Sequence, residues 1–256
     1  MIGHFGRLSF KVTSMSKTLS HQCMVKACLC LAGCVLFAGP APGAEPEVIT
    51  QQIREFRILV DGKHRGDQSM TFSHLADGSE MMQGEAEVLI NLIVYRYRYA
   101  SAGTEVWKDG RLIKLVNEAD YNGDKYVIQG SAVQQGLHYQ VNGESQKAPS
   151  DIWAASYWRE PDAKRVGKKV RLLDSDKGNQ LTATIQKLDP ETIMLDSTPI
   201  KANRYHLNGD VEVNVWYDKH GLIVRQESVE SGHKTRLDLV KITTGKVAAK
   251  SNSLPR

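Results

Sequence analysis

From residue 45 onward the chain is written in short runs of alternating apolar and polar residues, separated by turn dipeptides. Phe56, Ile58 and Val60 alternate with Arg57 and Leu59. Val211, Val213, Val215 and Tyr217 alternate with Glu212, Asn214 and Trp216, and Leu237 and Leu239 with Arg236 and Asp238. Successive side chains of a strand point to opposite faces, so a period of two marks a sheet with one buried face. Between such runs stand Asp61-Gly62, Asp77-Gly78, Asp109-Gly110, Asn122-Gly123, Asn142-Gly143, Asn208-Gly209 and Ser231-Gly232. Asp-Gly and Asn-Gly supply the positive φ angles of a two-residue hairpin turn, and the pattern predicts a meander of antiparallel strands.

Two segments depart from this rhythm. Glu85 to Ala100 runs on without a turn dipeptide or proline. As one strand, at about 3.3 Å per residue, it would extend roughly 50 Å and must coil or bulge. Its apolar face (Ala86, Val88, Ile90, Leu92, Val94) continues into Arg96 and Arg98, while Tyr95, Tyr97 and Tyr99 line the other face. Either a bulge switches faces near Tyr95, or the strand leaves the core there for a polar rim, a cavity mouth or solvent. The second segment, Ser150 to Trp158, predicts one short helix capped by Ser150 or Asp151, with Trp153 and Tyr157 four apart on one face. The expected fold is mainly β: an antiparallel meander forming a curved sheet or barrel with one short internal helix, as a single domain over 45–256.

Charge and cysteines change the picture only at the N-terminus. The net charge of +4 and all four cysteines trace to residues 1–44, which hold Arg7, Lys11, Lys17 and Lys26, no acidic residue, and Cys23, Cys28, Cys30 and Cys34. The remainder carries 29 basic and 29 acidic residues and no thiol, which removes disulfides, thiolate nucleophiles and cysteine metal sites from its chemistry. A basic stretch ending at Lys26, an apolar run Ala27 to Ala38 and the small-residue exit before Glu45 read as a secretory signal cleaved after Ala44, with Met15 as a more usual start. The apolar run is too short to span a bilayer core, which takes roughly 20 residues in a helix. The expectation is a periplasmic protein without a transmembrane segment in its mature form. Leu31-Ala32-Gly33-Cys34 resembles a lipobox, and the alternative is a lipoprotein anchored at Cys34.

The C-terminal hairpin Val215-Trp216-Tyr217-Asp218 … Gly221-Leu222-Ile223-Val224, preceded by Lys201 to Leu207, resembles a family of secreted Gram-negative proteins known only as a domain of unknown function. Tyr95-Arg96-Tyr97 … Gly103 to Trp107 with Asp109 to Leu112, and Ala155-Ser156-Tyr157-Trp158, fit the same family. More distantly the chain is similar to periplasmic half-barrel or spiral-barrel proteins, lipoprotein carriers among them. That resemblance implies a curved antiparallel sheet around a hydrophobic interior, without implying lipid carriage, and this chain has far less helix than the carriers.

Catalytic signatures are missing: there is no G-x-S-x-G, H-E-x-x-H or Gly-rich phosphate loop, and the sequence implies no cofactor and no metal. His64 and His74 would have to face each other across a hairpin to join Asp61 or Asp67 in a site, and read better as surface histidines. Glu85, Glu87 and Glu105 could assemble an acid and base on a sheet, or form a charged solvated face. Lys164 to Arg171 could meet anionic headgroups or glycans, but acidic neighbours favour a solvated loop; neutral charge and export together exclude nucleic acid. Past the leader, two phenylalanines stand against nine tyrosines and four tryptophans, so nearly every ring has a polar tip. Such rings suit surfaces apolar on one side and wet on the other. The candidate ligand-binding residues are Tyr95, Tyr97, Tyr99, Trp107, Trp153, Tyr157 and Trp158. The functional expectation is a non-enzymatic envelope protein binding an apolar or amphipathic ligand, or an envelope partner. The alternatives are a carboxylate-dependent envelope hydrolase and a structural or chaperone-like interaction module.

Overall fold

The computed structural model describes residues 46–92, 95–230 and 232–246. The expected signal segment and the alternative anchor Cys34 lie outside the described residues. Among the described residues fifteen strands follow one another: β1 Val48–Val60, β2 Lys63–Leu75, β3 Glu80–Leu92, β4 Tyr95–Lys108, β5 Arg111–Tyr121, β6 Asp124–Val133, β7 Gly136–Val141, β8 Glu144–Pro149, β9 Trp153–Ala154, β10 Lys169–Leu173, β11 Gln180–Leu195, β12 Thr198–Gly209, β13 Glu212–Tyr217, β14 Ile223–Glu230 and β15 His233–Lys246. They form one sheet in the order β8-β7-β6-β5-β4-β3-β2-β1-β15-β14-β13-β12-β11-β10-β9. Every pair is antiparallel except β9 with β10, so the predicted meander is what folds.

Local chemistry sets most reversals. Asp61, Asp109, Asn122 and Asn142 each hold a φ near +50° to +58°, followed by Gly62, Gly110, Gly123 and Gly143 at φ between +73° and +99°. Two consecutive positive φ values match the right-handed twist of the flanking strands. Between β11 and β12 the same job falls to Asp196, at φ 50°, without a glycine after it.

The edge strands β8 and β9 are consecutive in sequence, so Ser150 to Ile152 carries the chain from one edge of the sheet to the other. The sheet therefore curls until its edges meet at one end, without a hydrogen-bonded ladder closing it. Side chains bridge the seam instead. Gln180 Nε2 donates to the Lys147 carbonyl at 2.8 Å and to the Tyr139 hydroxyl at 3.2 Å, and that hydroxyl lies 3.0 Å from the Gly178 carbonyl. Register shifts in β1, at Glu55/Phe56 and Ile58/Leu59, let these long strands coil.

Two expectations are corrected. Glu85–Ala100 is not one strand but the two arms of the β3–β4 hairpin, reversing between Leu92 and Tyr95. Leu92 pairs with Tyr95, Ile90 with Tyr97 and Val88 with Tyr99, so the reversal, not a bulge, brings Tyr97 and Tyr99 to the face of Val88 and Ile90 and leaves Arg96 and Arg98 exposed. Thirteen paired positions between the two arms outweigh the lack of turn residues. The expected helix over Ser150–Trp158 is not formed, and no helix occurs among the described residues. Ile152, Trp153, Ala154, Tyr157 and Trp158 are all buried, which leaves no polar face for a helix to turn to solvent. The segment instead pairs Trp153 and Ala154 with β10, passes Tyr157 at φ 51° and hands the Trp158 carbonyl to the Ile223 amide. Trp153 and Tyr157 still meet edge-on, at 5.8 Å between centroids.

The interior holds one continuous apolar cluster contributed by strands of both halves, from Phe56, Phe72 and Trp107 to Tyr139, Leu172, Leu207, Val215 and Tyr217. Each fully buried large side chain contributes on the order of 1.5–3 kcal/mol, offset by the ordering of chain and rotamers. Among the described residues no helix is long and apolar enough to cross a membrane.

Candidate functional site

The aromatic residues singled out in the sequence fall into two groups. Trp107, Trp153, Tyr157 and Trp158 are buried within the cluster. Tyr97 and Tyr99 face the same interior but stay half-buried. They lie near the end of the sheet where the β1–β2, β3–β4, β5–β6 and β14–β15 reversals gather. Tyr95 opens β4, and its side chain lies outside the described residues.

The polar tips of Tyr99, Trp107 and Trp158, and of other rings of the cluster, meet carboxylates. Glu105, 2% exposed, accepts from Trp107 Nε1 at 3.0 Å, Trp158 Nε1 at 2.9 Å and Ser175 Oγ at 3.3 Å. Glu160 accepts from the Tyr205 hydroxyl at 2.7 Å and Asn203 Nδ2 at 2.9 Å, and Glu191 from Trp216 Nε1 at 2.9 Å. Asp176, in the loop between β10 and β11, has four donors: the Tyr99 hydroxyl at 2.7 Å, the Tyr121 hydroxyl at 2.8 Å, Asn117 Nδ2 at 2.9 Å and Ser101 Oγ at 3.0 Å. This pins the loop against the inner wall of β4 and β5, with Lys177 Nζ 4.3 Å from the centre of the Tyr121 ring. Burial, reinforced by the Asp176 charge, pushes the Tyr99 and Tyr121 hydroxyls well above the usual phenol range. Burial likewise raises the Asp174 carboxyl, against two backbone amides that lower it.

At the opposite end, Arg54 continues the inward phase of Phe56 and Ile58 and is wholly buried. Its guanidinium donates to Asp218 Oδ2 at 2.5 Å, to the Leu222 and Ile223 carbonyls at 3.1 and 2.9 Å, and to Gln52 Oε1 at 2.7 Å. Asp218 Oδ1 accepts from the His220 and Leu222 amides, so this buried pair fastens β1 to the β13–β14 turn. Sequence reading missed Arg54, Asn117, Tyr121, Asp176 and Asp218 as partners. The period of two run backwards from Phe56 would have found Arg54; nothing local marks Asp176.

Other sequence candidates do not assemble. His64 and His74 stand ten residues apart on β2, beside Asp67 and Glu80 respectively, so they do not face each other. Glu85 and Glu87 are exposed on the outer face while Glu105 is buried on the inner one. In the basic segment, Arg165 pairs with Asp162 and Arg171 with Asp151.

What remains open is the mouth at the Tyr97 end. Val60, Ala86, Ile90, Tyr97 and Tyr99 face the core yet are only half-buried, above a floor of Ile58, Val88 and Leu237. Below that floor lies the buried apolar cluster. The mouth can offer a shallow apolar surface with the Asp174–Lys177 loop, to which the Tyr99 hydroxyl is bonded, at its margin.

The chain matches, over residues 56–240, the family described as "Domain of unknown function (DUF6134)", and belongs to it. No curated protein matches. Among solved structures it is similar to a beta-barrel-like protein of domain of unknown function DUF1849 from Brucella abortus, at 9% identity and a TM-score of 0.56, covering 78% of this chain and 100% of that one. That likeness concerns the fold alone and agrees with the barrel kinship expected from the sequence. A "putative outer membrane lipoprotein-sorting protein domain" from Vibrio parahaemolyticus aligns over 81% of this chain and 90% of that one, at 7% identity and a TM-score of 0.21, too low to carry an argument.

Proposed function

We propose that this member of the DUF6134 family is a non-enzymatic binding module of the bacterial envelope, exported by its first 44 residues. It takes an apolar or amphipathic ligand, or an apolar segment of an envelope partner, at the mouth of the curled sheet. The observation that carries this reading is the ring of inward-facing but half-buried side chains, Val60, Ile90, Tyr97 and Tyr99. An apolar side chain that faces the core without being covered gives up part of its burial energy, about 25 cal/mol for each Å² left wet, and a bound apolar group recovers it. The buried cluster beneath, reached at Ile58, Val88 and Leu237, supports docking at the mouth over deep enclosure. Glu105, Glu160, Glu191 and Asp176 already accept hydrogen bonds from Trp, Tyr, Asn and Ser groups, which supports binding over carboxylate-dependent hydrolysis.

Fluorescence titration of the full chain with monomeric lysophosphatidylglycerol tests the reading. The expected result is saturable binding that Ile90→Ser with Tyr97→Ser weakens at least fivefold while circular dichroism stays unchanged. Absence of binding, or binding indifferent to that double substitution, would refute it.

A further inference from the structure

On the outer face of the sheet the strand register lines up Gln83, Thr104, Val116, Gln129, Gln140 and Ser145 as successive cross-strand partners from β3 to β8. Their chain neighbours Met82, Glu105, Leu115, Ile128 and Tyr139 are buried, so the row itself points outward. The row is the shared floor of two adjoining open grooves. One, of about 530 Å³, runs over Gln83 and Thr104 to Val116; the other, of about 540 Å³, continues from Val116 over Gln129 and Gln140 to Ser145.

Three features of this floor point to one ligand chemistry. It is uncharged, and the charges beside it cancel: Glu85 and Glu118 flank one groove, Lys114 and Lys147 the other. Its amides and hydroxyls make no hydrogen bond with another group among the described residues. None of the large exposed apolar residues (Ile49, Leu89, Val133, Met194, Val229) belongs to it, which disfavours a protein partner buried by apolar contact. Neighbouring strands lie about 4.8 Å apart, so the row spans roughly 24 Å and presents an amide or hydroxyl at that interval on every strand but β5, where Val116 stands. That interval is close to the length of one pyranose unit in a linear polysaccharide.

We propose that the outer face of β3–β8 binds a neutral linear glycan laid across the strands, each sugar meeting the amide or hydroxyl of about one strand. The site is separate from the mouth and does not depend on the binding proposed there. None of the six row residues is aromatic, and Tyr139, which borders one groove, is buried, so the contact with each unit is weak and affinity grows with chain length.

Calorimetric titration of the full chain with cellohexaose and chitohexaose tests this. At least one of the two is expected to bind, with its disaccharide at least tenfold weaker. Gln129→Ala with Gln140→Ala, both exposed, should weaken the hexasaccharide at least fivefold at unchanged Tm, as should Ser145→Arg on the edge strand. Tyr97→Ser at the mouth should leave it unaltered. The proposal is overturned if neither hexasaccharide binds, if the disaccharide binds as well as the hexasaccharide, or if both row variants bind normally. It is equally overturned if the unliganded chain forms a dimer that the Gln129/Gln140 substitutions dissociate, the row then being an interface between copies.

Discussion

Raising the pH should unfold this protein in one steep step, and the buried tyrosines set how steep. Tyr99, Tyr121, Tyr157 and Tyr217 all have hydroxyls whose ionisation is pushed up, by burial first and by neighbouring carboxylates or phenols second. The folded state therefore keeps these protons where the unfolded chain, with phenol pKa near ~10, releases them. Above that pH the unfolded state binds fewer protons, so stability falls as pH rises; below it this proton linkage contributes nothing. Each such group contributes a limiting slope of about 1.4 kcal/mol per pH unit, and four together give about 5 kcal/mol per unit. A domain with 5–15 kcal/mol of stability, by the usual range, would then unfold within about one to three pH units above ~10. Tyr139 and Tyr205, shifted in the same direction, steepen the slope further. The assay is tyrosinate absorbance recorded together with near-ultraviolet circular dichroism. The expected outcome is that absorbance from the buried rings appears in the same cooperative step that abolishes the dichroism. Gradual ionisation of those rings near pH ~10 with the dichroism intact would refute the reasoning. Tyr217→Phe sharpens the test, because the Tyr217 hydroxyl is fully buried and has no partner among the described residues. The substitution should be neutral or stabilising by up to ~1–2 kcal/mol at pH 7 and should reduce the alkaline slope by about one proton.

Asp218→Asn leaves the buried Arg54 charge without its counter-ion and should cost about 3–5 kcal/mol, or roughly 6–20 °C in Tm for a domain of this size, by thermal unfolding. Arg54→Met combined with Asp218→Asn should be less destabilised than Asp218→Asn alone; a double variant at least as unstable would contradict that account. Asp176→Ala removes an acceptor shared by four donors, and hydrogen exchange should accelerate across residues 174–179 and in β4 and β5 near Tyr99 and Tyr121. Two glycines predict opposite signs. A Cβ at Gly103 would lie 2.2 Å from Asn117 Oδ1 and 2.8 Å from the Val116 carbonyl, so Gly103→Ala should destabilise by about 1–3 kcal/mol. Gly245 has nothing within 4 Å, so Gly245→Ala should be neutral or stabilising by up to ~1 kcal/mol, both read from urea midpoints.

Family membership and the meander were legible because both rest on local signals. Asp61-Gly62 or Asn142-Gly143 reverses the chain by its own backbone preferences, and an alternating run such as Val211–Tyr217 names its buried face wherever it sits. The candidate site was half legible. The excess of polar-tipped rings pointed to Tyr97 and Tyr99, now at the mouth, but also to Trp107, Trp153 and Trp158, which are core. A tryptophan reads the same in sequence whether its N–H meets water or a buried glutamate, and Glu105 lies 53 residues from Trp158.

By itself, then, the sequence determined an antiparallel meander, most of its turns and the buried face of runs such as Phe56–Val60 and Val211–Tyr217, because twist, φ preference and alternation act over a few residues. Tertiary structure alone decided that Glu85–Ala100 doubles back, since thirteen cross-strand pairs outweigh two residues without turn character. It decided that Ser150–Trp158 serves as a buried link between sheet edges rather than a helix. It also set which carboxylate meets which ring, and it aligned Gln83 through Ser145 into one row. Each of these is a pairing between residues far apart in the chain, fixed by register and curvature, and no window of neighbouring residues contains both partners.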